Sequence, residues 1–303
     1  MIIQNRSTLV VLLVVVFLTV LSTTAYGNSN STSVVNDSIK LRFANIKLKT
    51  GVRLHYAEHG DANGPAILML HGFSDSWFSY SRVLSSMNRK YHIYILDQRG
   101  HGNSDRPQTG YTPRHFAKDA LAFMEAKGIE AATVVGHSMG SFVAQHLATL
   151  APSRVTKLVL IGSAYTPKNG AVLGLREEIQ SLTDPVSEKF IRDFQMGTIA
   201  RPVPEEFLGT LFSESGKLPA RVWKAVVNDL LTGADAELAK IKAPTLIIWG
   251  DRESIFLRAE QEKLITGIAK SQFRTYEGTG HSPTWEQPER VARDLEEFIN
   301  AEN

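Results

Sequence analysis

Gly136-His137-Ser138-Met139-Gly140 lies between an apolar, β-like run at residues 132–135 and a helix-like run at residues 141–150. A turn that passes so sharply from strand to helix needs small residues on both sides of its apex, and Gly136 and Gly140 supply them. Ser138 then stands at the apex with its hydroxyl held outward. The first amides of the following helix, that of Met139 included, have no partner within the helix and point toward any negative charge that forms beside Ser138. The arrangement suits acyl transfer. A free hydroxyl is a weak nucleophile, however, so this reading requires a base and an acid further along the chain.

Both residue types are present in that order. A strand-like run at residues 272–277 leads into Gly278-Thr279-Gly280-His281-Ser282-Pro283, and a final amphipathic helix begins near Pro288. His281, in a glycine-rich loop at a strand end, is placed to act as the base. Upstream, Leu246-Ile247-Ile248-Trp249-Gly250-Asp251-Arg252-Glu253 carries two carboxylates just past a strand-like run. Either Asp251 or Glu253 can orient an imidazole. The loop after Ile161, Gly162-Ser163-Ala164-Tyr165, offers no acid.

Around these segments the chain alternates strand and helix patterns. Residues 41–48 and 52–58 read as two strands joined across Lys49-Thr50-Gly51, an antiparallel hairpin. Short runs rich in Ile, Leu and Val at residues 66–70, 92–96, 132–135, 155–161 and 245–249 read as strands buried on both faces. Thr112 caps a helix that opens with Pro113 and closes before Gly128. Strands alternating with helices imply a mostly parallel sheet flanked by helices, with function at the strands' C-terminal ends. From about residue 164 to 240 the alternation stops and helical patterning takes over, which reads as an inserted helical cap. Of its large apolar residues, Phe190, Phe194, Met196, Phe207, Leu211, Phe212 and Trp223, most are expected to pack the cap and a few to line a pocket.

Composition limits the alternatives. The 303 residues are 43% hydrophobic and 21% charged, with 33 basic and 31 acidic side chains giving a net charge of +2, so nothing points to a nucleic-acid partner. Cysteine is absent, which removes disulfides, thiol catalysis and Cys-ligated zinc. No HExxH or comparable spacing among the nine histidines marks a metal site, and no cofactor is expected. Residues 1–27 differ from the rest: Arg6 precedes the apolar run 9–21, and small residues follow at Thr23, Ala25 and Gly27. This is the pattern of a secretory signal peptide cleaved after Ala25 or Gly27. The run is shorter than the roughly 20 residues of a bilayer span, with an uncleaved signal anchor as the alternative. Residues 28–40, rich in Ser and Asn, read as a flexible linker, and Asn30-Ser31-Thr32 and Asn36-Asp37-Ser38 match the glycosylation pattern of a eukaryotic host. The mature chain is therefore expected outside the cytoplasm, secreted or periplasmic, without a stable membrane span.

Across about residues 41–300 the chain resembles the α/β-hydrolase family. The resemblance rests on His71-Gly72-Phe73 after the strand at 66–70, on Asp97-Gln98-Arg99-Gly100-His101-Gly102-Asn103-Ser104, on the elbow at 136–140, on Gly250-Asp251-Arg252-Glu253 and on Gly280-His281. It implies that fold, a single domain over residues 41–303, and a triad of Ser138, an acid and His281. The family's acid commonly stands three residues after the glycine of the late strand, which here is Glu253 where aspartate is usual. It also places an oxyanion-hole amide at Phe73, to act with that of Met139, while the motif containing Arg99, His101 and Ser104 serves mainly to fix a loop. Epoxide hydrolases and haloalkane dehalogenases of this fold use aspartate where this chain has Ser138. The function implied is hydrolysis of a carboxylic ester or lactone of a small to medium, fairly apolar molecule. Carbon-carbon bond hydrolases and cofactor-free perhydrolases carry the same triad, and a non-catalytic ligand-binding relative is the alternative from another class.

Overall fold

Short apolar runs separated by turn residues become the strands of one sheet in the computed structural model, which describes residues 40–302. The expected signal peptide and the linker up to residue 39 lie outside the described residues. The strands are β1 (Leu41–Lys47), β2 (Arg53–Gly60), β3 (Ala66–Leu70), β4 (His92–Leu96), β5 (Ala132–His137), β6 (Val155–Ile161), β7 (Thr245–Gly250) and β8 (Ser271–Tyr276). Their spatial order is β1-β2-β4-β3-β5-β6-β7-β8. β2 runs antiparallel to both β1 and β4, and every other neighbouring pair is parallel.

Crossovers and flanks are formed by α1 (Ser81–Leu84), α2 (Pro113–Ala126), α3 (Met139–Leu150), α4 (Gly170–Gln180), α5 (Glu188–Met196), α6 (Glu205–Gly216), α7 (Ala220–Gly233), α8 (Arg258–Gly267), α9 (Pro283–Glu286) and α10 (Pro288–Asn300). α2 starts as its sequence demands: the Thr112 hydroxyl accepts from the His115 amide, Pro113 takes the first helical position, and Gly128 with φ 68° ends the helix. Because side chains of a strand alternate, each central strand feeds two cores. Leu68, Leu70, Val134, Leu158 and Leu160 join one face with Phe116 and Phe142 of α2 and α3. Ile67, Met69, Val135, Val159 and Ile161 join the other with Val291, Leu295 and Phe298 of α10. This two-sided burial is why these strands read as continuous apolar runs rather than alternating ones. Between β6 and β7 the chain leaves the sheet for the four helices α4 to α7, the helical insertion that patterning placed at about residues 164–240.

Register determines what meets at the C-terminal edge. Leu70 of β3 pairs with Gly136 of β5, and His137 pairs with Ile161 of β6, so the loop beginning at His71 leaves the sheet beside Ser138. The loop at residues 97–104 is held rigidly. Arg99 forms a two-pronged pair with Asp119 of α2 (Nε to Oδ2 2.6 Å, Nη2 to Oδ1 2.7 Å) and donates from Nη1 to the Gly110 carbonyl at 2.8 Å. Ser104 accepts from the His55 amide and donates to the Asp97 carbonyl. Both partners of the Arg99 pair are nearly buried, 7% and 3% exposed in their side chains. Removing one member leaves the other charge stranded in a low dielectric, so Arg99→Met should lower stability by about 3–5 kcal/mol in urea denaturation. A loss under about 1 kcal/mol would mean that the pair behaves as an exposed salt bridge.

Candidate active site

Ser138 occupies the junction of β5 and α3 with φ 52° and ψ −120°, a conformation that L-residues seldom adopt. Contacts on both sides enforce it. A Cβ on Gly136 would stand 2.3 Å from the Gly140 carbonyl oxygen, and a Cβ on Gly140 would stand 2.1 Å from the Leu70 carbonyl oxygen. α3 therefore packs against the end of β3 at backbone distance, and the Ser138 amide is tied to the Ile161 carbonyl at 2.9 Å. The helix starts at Met139, two residues earlier than the apolar pattern indicated, so the Met139 amide belongs to its first turn.

The side chains singled out in the sequence come together here. Ser138 Oγ lies 2.7 Å from His281 Nε2, and His281 Nδ1 lies 2.6 Å from Glu253 Oε2. The His281 and Glu253 side chains are buried, and the second Glu253 oxygen accepts from the Ile255 amide at 2.8 Å. Asp251 is not part of this chain of contacts. Exposed, it accepts from the Gly278 amide at 2.7 Å and so braces the base of the loop that carries His281. Phe73 and Met139 both border the cavity into which Ser138 opens. The Phe73 ring packs edge-on against Trp223 at 4.9 Å and Phe194 at 5.8 Å, joining the pocket wall to the insertion. The cavity is mainly apolar, lined by Val172, Leu175, Phe194, Val227 and Leu230 from the insertion and by Phe142, Phe256 and Trp285 from the body. Of the insertion's large apolar residues named from sequence, Phe194 lines it, while Phe207, Leu211 and Trp223 are buried in packing and Met196 is exposed.

Gln195, Thr198 and Glu286 carried no mark in the sequence pattern. The insertion is stitched to the histidine loop: the His281 amide donates to the Thr198 carbonyl at 2.8 Å, and Glu286 accepts from the amides of Gly280, Ala200 and Arg201. Burial raises the pKa of Glu286, and these backbone donors pull the other way. His71 donates through Nδ1 to the Gly72 carbonyl and accepts at Nε2 from the Gln98 amide, which fixes its tautomer; its burial pushes the pKa down to about 4. Asp75, also buried, lines the cavity and accepts from Gln195 Nε2 at 3.1 Å. Burial lifts its pKa to about 7 against the opposing pull of Gln195 and of His281. The one signal for Asp75 in the sequence is a carboxylate three residues past Gly72, in a stretch otherwise bound for the interior.

Comparisons with known proteins agree with this architecture. Residues 65–288 match the family model described as the alpha/beta hydrolase fold, and the chain belongs to that family. It is 27% identical over 271 residues to Lipase 3 of Moraxella sp. (strain TA144), covering 85% of this chain and 84% of the relative. It is 25% identical over 278 residues to Epoxide hydrolase 4 of Mus musculus, with coverage of 82% and 76%. A solved structure of a membrane phospholipase A, described as a bacterial virulence factor, superposes with a TM-score of 0.75 at 25% identity, covering 86% of this chain and 87% of that one. Among the described residues no helix is long and apolar enough to cross a membrane, and no group of three or more His, Cys, Asp or Glu side chains is arranged to hold a metal ion.

Asp75 gives the site a pH signature. In the folded chain its proton is held up to about pH 7, whereas its ordinary value is 3.8. Between those values the folded state binds more protons than the unfolded one, so the contribution of this group is full below about pH 4, falls as pH rises and is lost above about pH 7. Asp75→Asn cannot ionise. Its stability relative to the unaltered chain should therefore increase from about pH 4 to about pH 8 in urea denaturation series, and a pH-independent difference would contradict the assignment.

Proposed function

We propose that this member of the α/β-hydrolase family is an exported serine hydrolase that cleaves a carboxylic ester or lactone of a small to medium, fairly apolar substrate through an acyl-enzyme. The observation that carries the reading is the continuous hydrogen-bonded line from Ser138 Oγ through His281 to Glu253, opening onto an apolar cavity. His281 takes the serine proton as Ser138 attacks the carbonyl, and buried Glu253 holds the ring in the productive tautomer and balances its charge. The amides of Phe73 and Met139 stabilise the oxyanion, a contribution of about 2.7–4 kcal/mol for each such donor. His281 then activates the water that releases the acid.

The similarity to a lipase and to a phospholipase A supports ester chemistry, since enzymes so named cleave carboxylic esters. The epoxide hydrolase relative shares the fold, but serine at the elbow disfavours an aspartyl ester route. Export rests on Arg6 and the apolar run at residues 9–21, and secretion of the full chain with loss of its first 25 to 27 residues tests it.

Hydrolysis of p-nitrophenyl esters of graded acyl length, with lactones alongside, should show a single optimum for the unaltered chain and a loss on the order of a millionfold in kcat for Ser138→Ala. Equal rates in the two proteins would overturn the reading. The two acids separate in the same assay. Glu253→Gln should cost on the order of 10⁴-fold in kcat, while Asp251→Asn should stay within about tenfold of the unaltered chain.

A further inference from the structure

The triad accounts for Ser138, His281 and Glu253 and leaves two buried polar groups at the same spot without a task. Asp75 and His137 are each 2% exposed and both line the cavity. One Asp75 oxygen, Oδ1, accepts from Gln195 Nε2, which also donates to Ser74 Oγ and Ser215 Oγ. The other, Oδ2, faces the bare side of Gly72. The position that a Cβ on Gly72 would take is 2.9 Å from Asp75 Oδ2, 3.2 Å from His137 Nδ1 and 3.3 Å from Ser138 Cβ, so three groups crowd a wedge beside this glycine that admits no side chain, at the edge of the cavity that all of them line.

The polarity of the wedge follows from hydrogen-bond bookkeeping. His137 Nε2 lies 2.9 Å from the His281 carbonyl oxygen, which can only accept, so Nε2 carries the ring proton. Burial and the neighbouring His281 push the His137 pKa down to about 3, so the ring is neutral and Nδ1 presents a lone pair. Among the described residues Nδ1 has no hydrogen-bond partner. A buried polar atom without a partner is costly, and such atoms in native folds commonly meet water or a ligand. Above about pH 7, where Asp75 is ionised, its Oδ2 and His137 Nδ1 line this side of the cavity with acceptors.

We propose that Asp75, held by Gln195 of the insertion, positions the water that hydrolyses the acyl-enzyme. This rests on the serine-hydrolase reading above. One O–H of the water is donated to Asp75 Oδ2 and the other to His281 Nε2. With acceptors on the protein side, nothing there competes for the oxygen lone pair, which is left facing the acyl carbon. The water oxygen bonds to that carbon as His281 Nε2 takes its proton. Collapse of the intermediate then breaks the bond from carbon to Ser138 Oγ, and His281 returns the proton to Oγ, giving free acid and intact serine. Acylation by Ser138 needs no water, so the role of Asp75 is confined to the second half of the cycle.

Asp75→Asn tests this, because Gln195 donates to Oδ1 and therefore fixes the asparagine oxygen there, turning the NH2 group into the wedge as a donor. Two rates are compared in the full chain at about pH 8, where Asp75 is ionised: covalent labelling by a fluorophosphonate probe, which needs the triad but no water, and steady-state turnover of a p-nitrophenyl ester. The expected result is labelling within about threefold of the unaltered chain, turnover reduced by about tenfold or more, and an acyl adduct of Ser138 accumulating in the intact mass of the variant. Labelling and turnover falling together would assign Asp75 a structural role and overturn the proposal, as would unchanged turnover. An unaltered chain that does not label at all would overturn the serine-hydrolase reading itself, an outcome distinct from failure of the Asp75 proposal alone.

Discussion

The backbone at Ser138 is the constraint on which the rest of the site depends. A serine at φ 52° is strained by about 1–3 kcal/mol, and it is held there because α3 presses on the end of β3 across two glycines that admit no side chain. The strain puts the hydroxyl at the apex of the turn and Met139, the first residue of α3, in the wall of the cavity. Without that close packing the serine would relax, and His281, placed by a different loop, would have no partner at 2.7 Å. The register of β3, β5 and β6 is thus part of the chemistry, since it fixes where the three loops meet.

The insertion does more than cover the site. Thr198 holds the backbone of His281, Glu286 gathers amides from the histidine loop and from residues 200 and 201, and Gln195 fixes Asp75. Buried hydrogen-bond networks of this kind rigidify what they join, because each unsatisfied member costs far more inside the protein than in water. The same helices line the cavity with apolar side chains, so the shape of the cavity and the setting of His281 are fixed by one element. A change within α5, or in the turn that follows it, acts on both.

Much of this was legible in the sequence, and the reason is local. The strands buried on both faces announced themselves as short apolar runs, α2 by its Thr112-Pro113 start, and the elbow by glycines that steric contact makes obligatory. Ser138, His281 and the pair of possible acids followed from where strands end. The choice between Asp251 and Glu253 was not a local matter: the turn after Gly250 sends Glu253 inward to His281 and leaves Asp251 at the surface on the Gly278 amide. Asp75, Gln195, Thr198 and Glu286 escaped for a stronger form of the same reason. Each acts through a residue distant in sequence, and no periodicity records which carbonyl or carboxylate a fold brings opposite an amide. Strand ends shifted by one or two residues: β5 runs on to His137, two residues past its apolar run, and β8 starts at Ser271 and ends at Tyr276, one residue earlier at each end than its pattern.

The central claim is that the elbow holds an activated serine. Treatment of the full chain with a fluorophosphonate, followed by mass mapping of its peptides, tests it most directly. The account requires one adduct, on Ser138, that is absent from Ser138→Ala and forms slowly in Glu253→Gln. No adduct, or an adduct on another residue that survives Ser138→Ala, would contradict it.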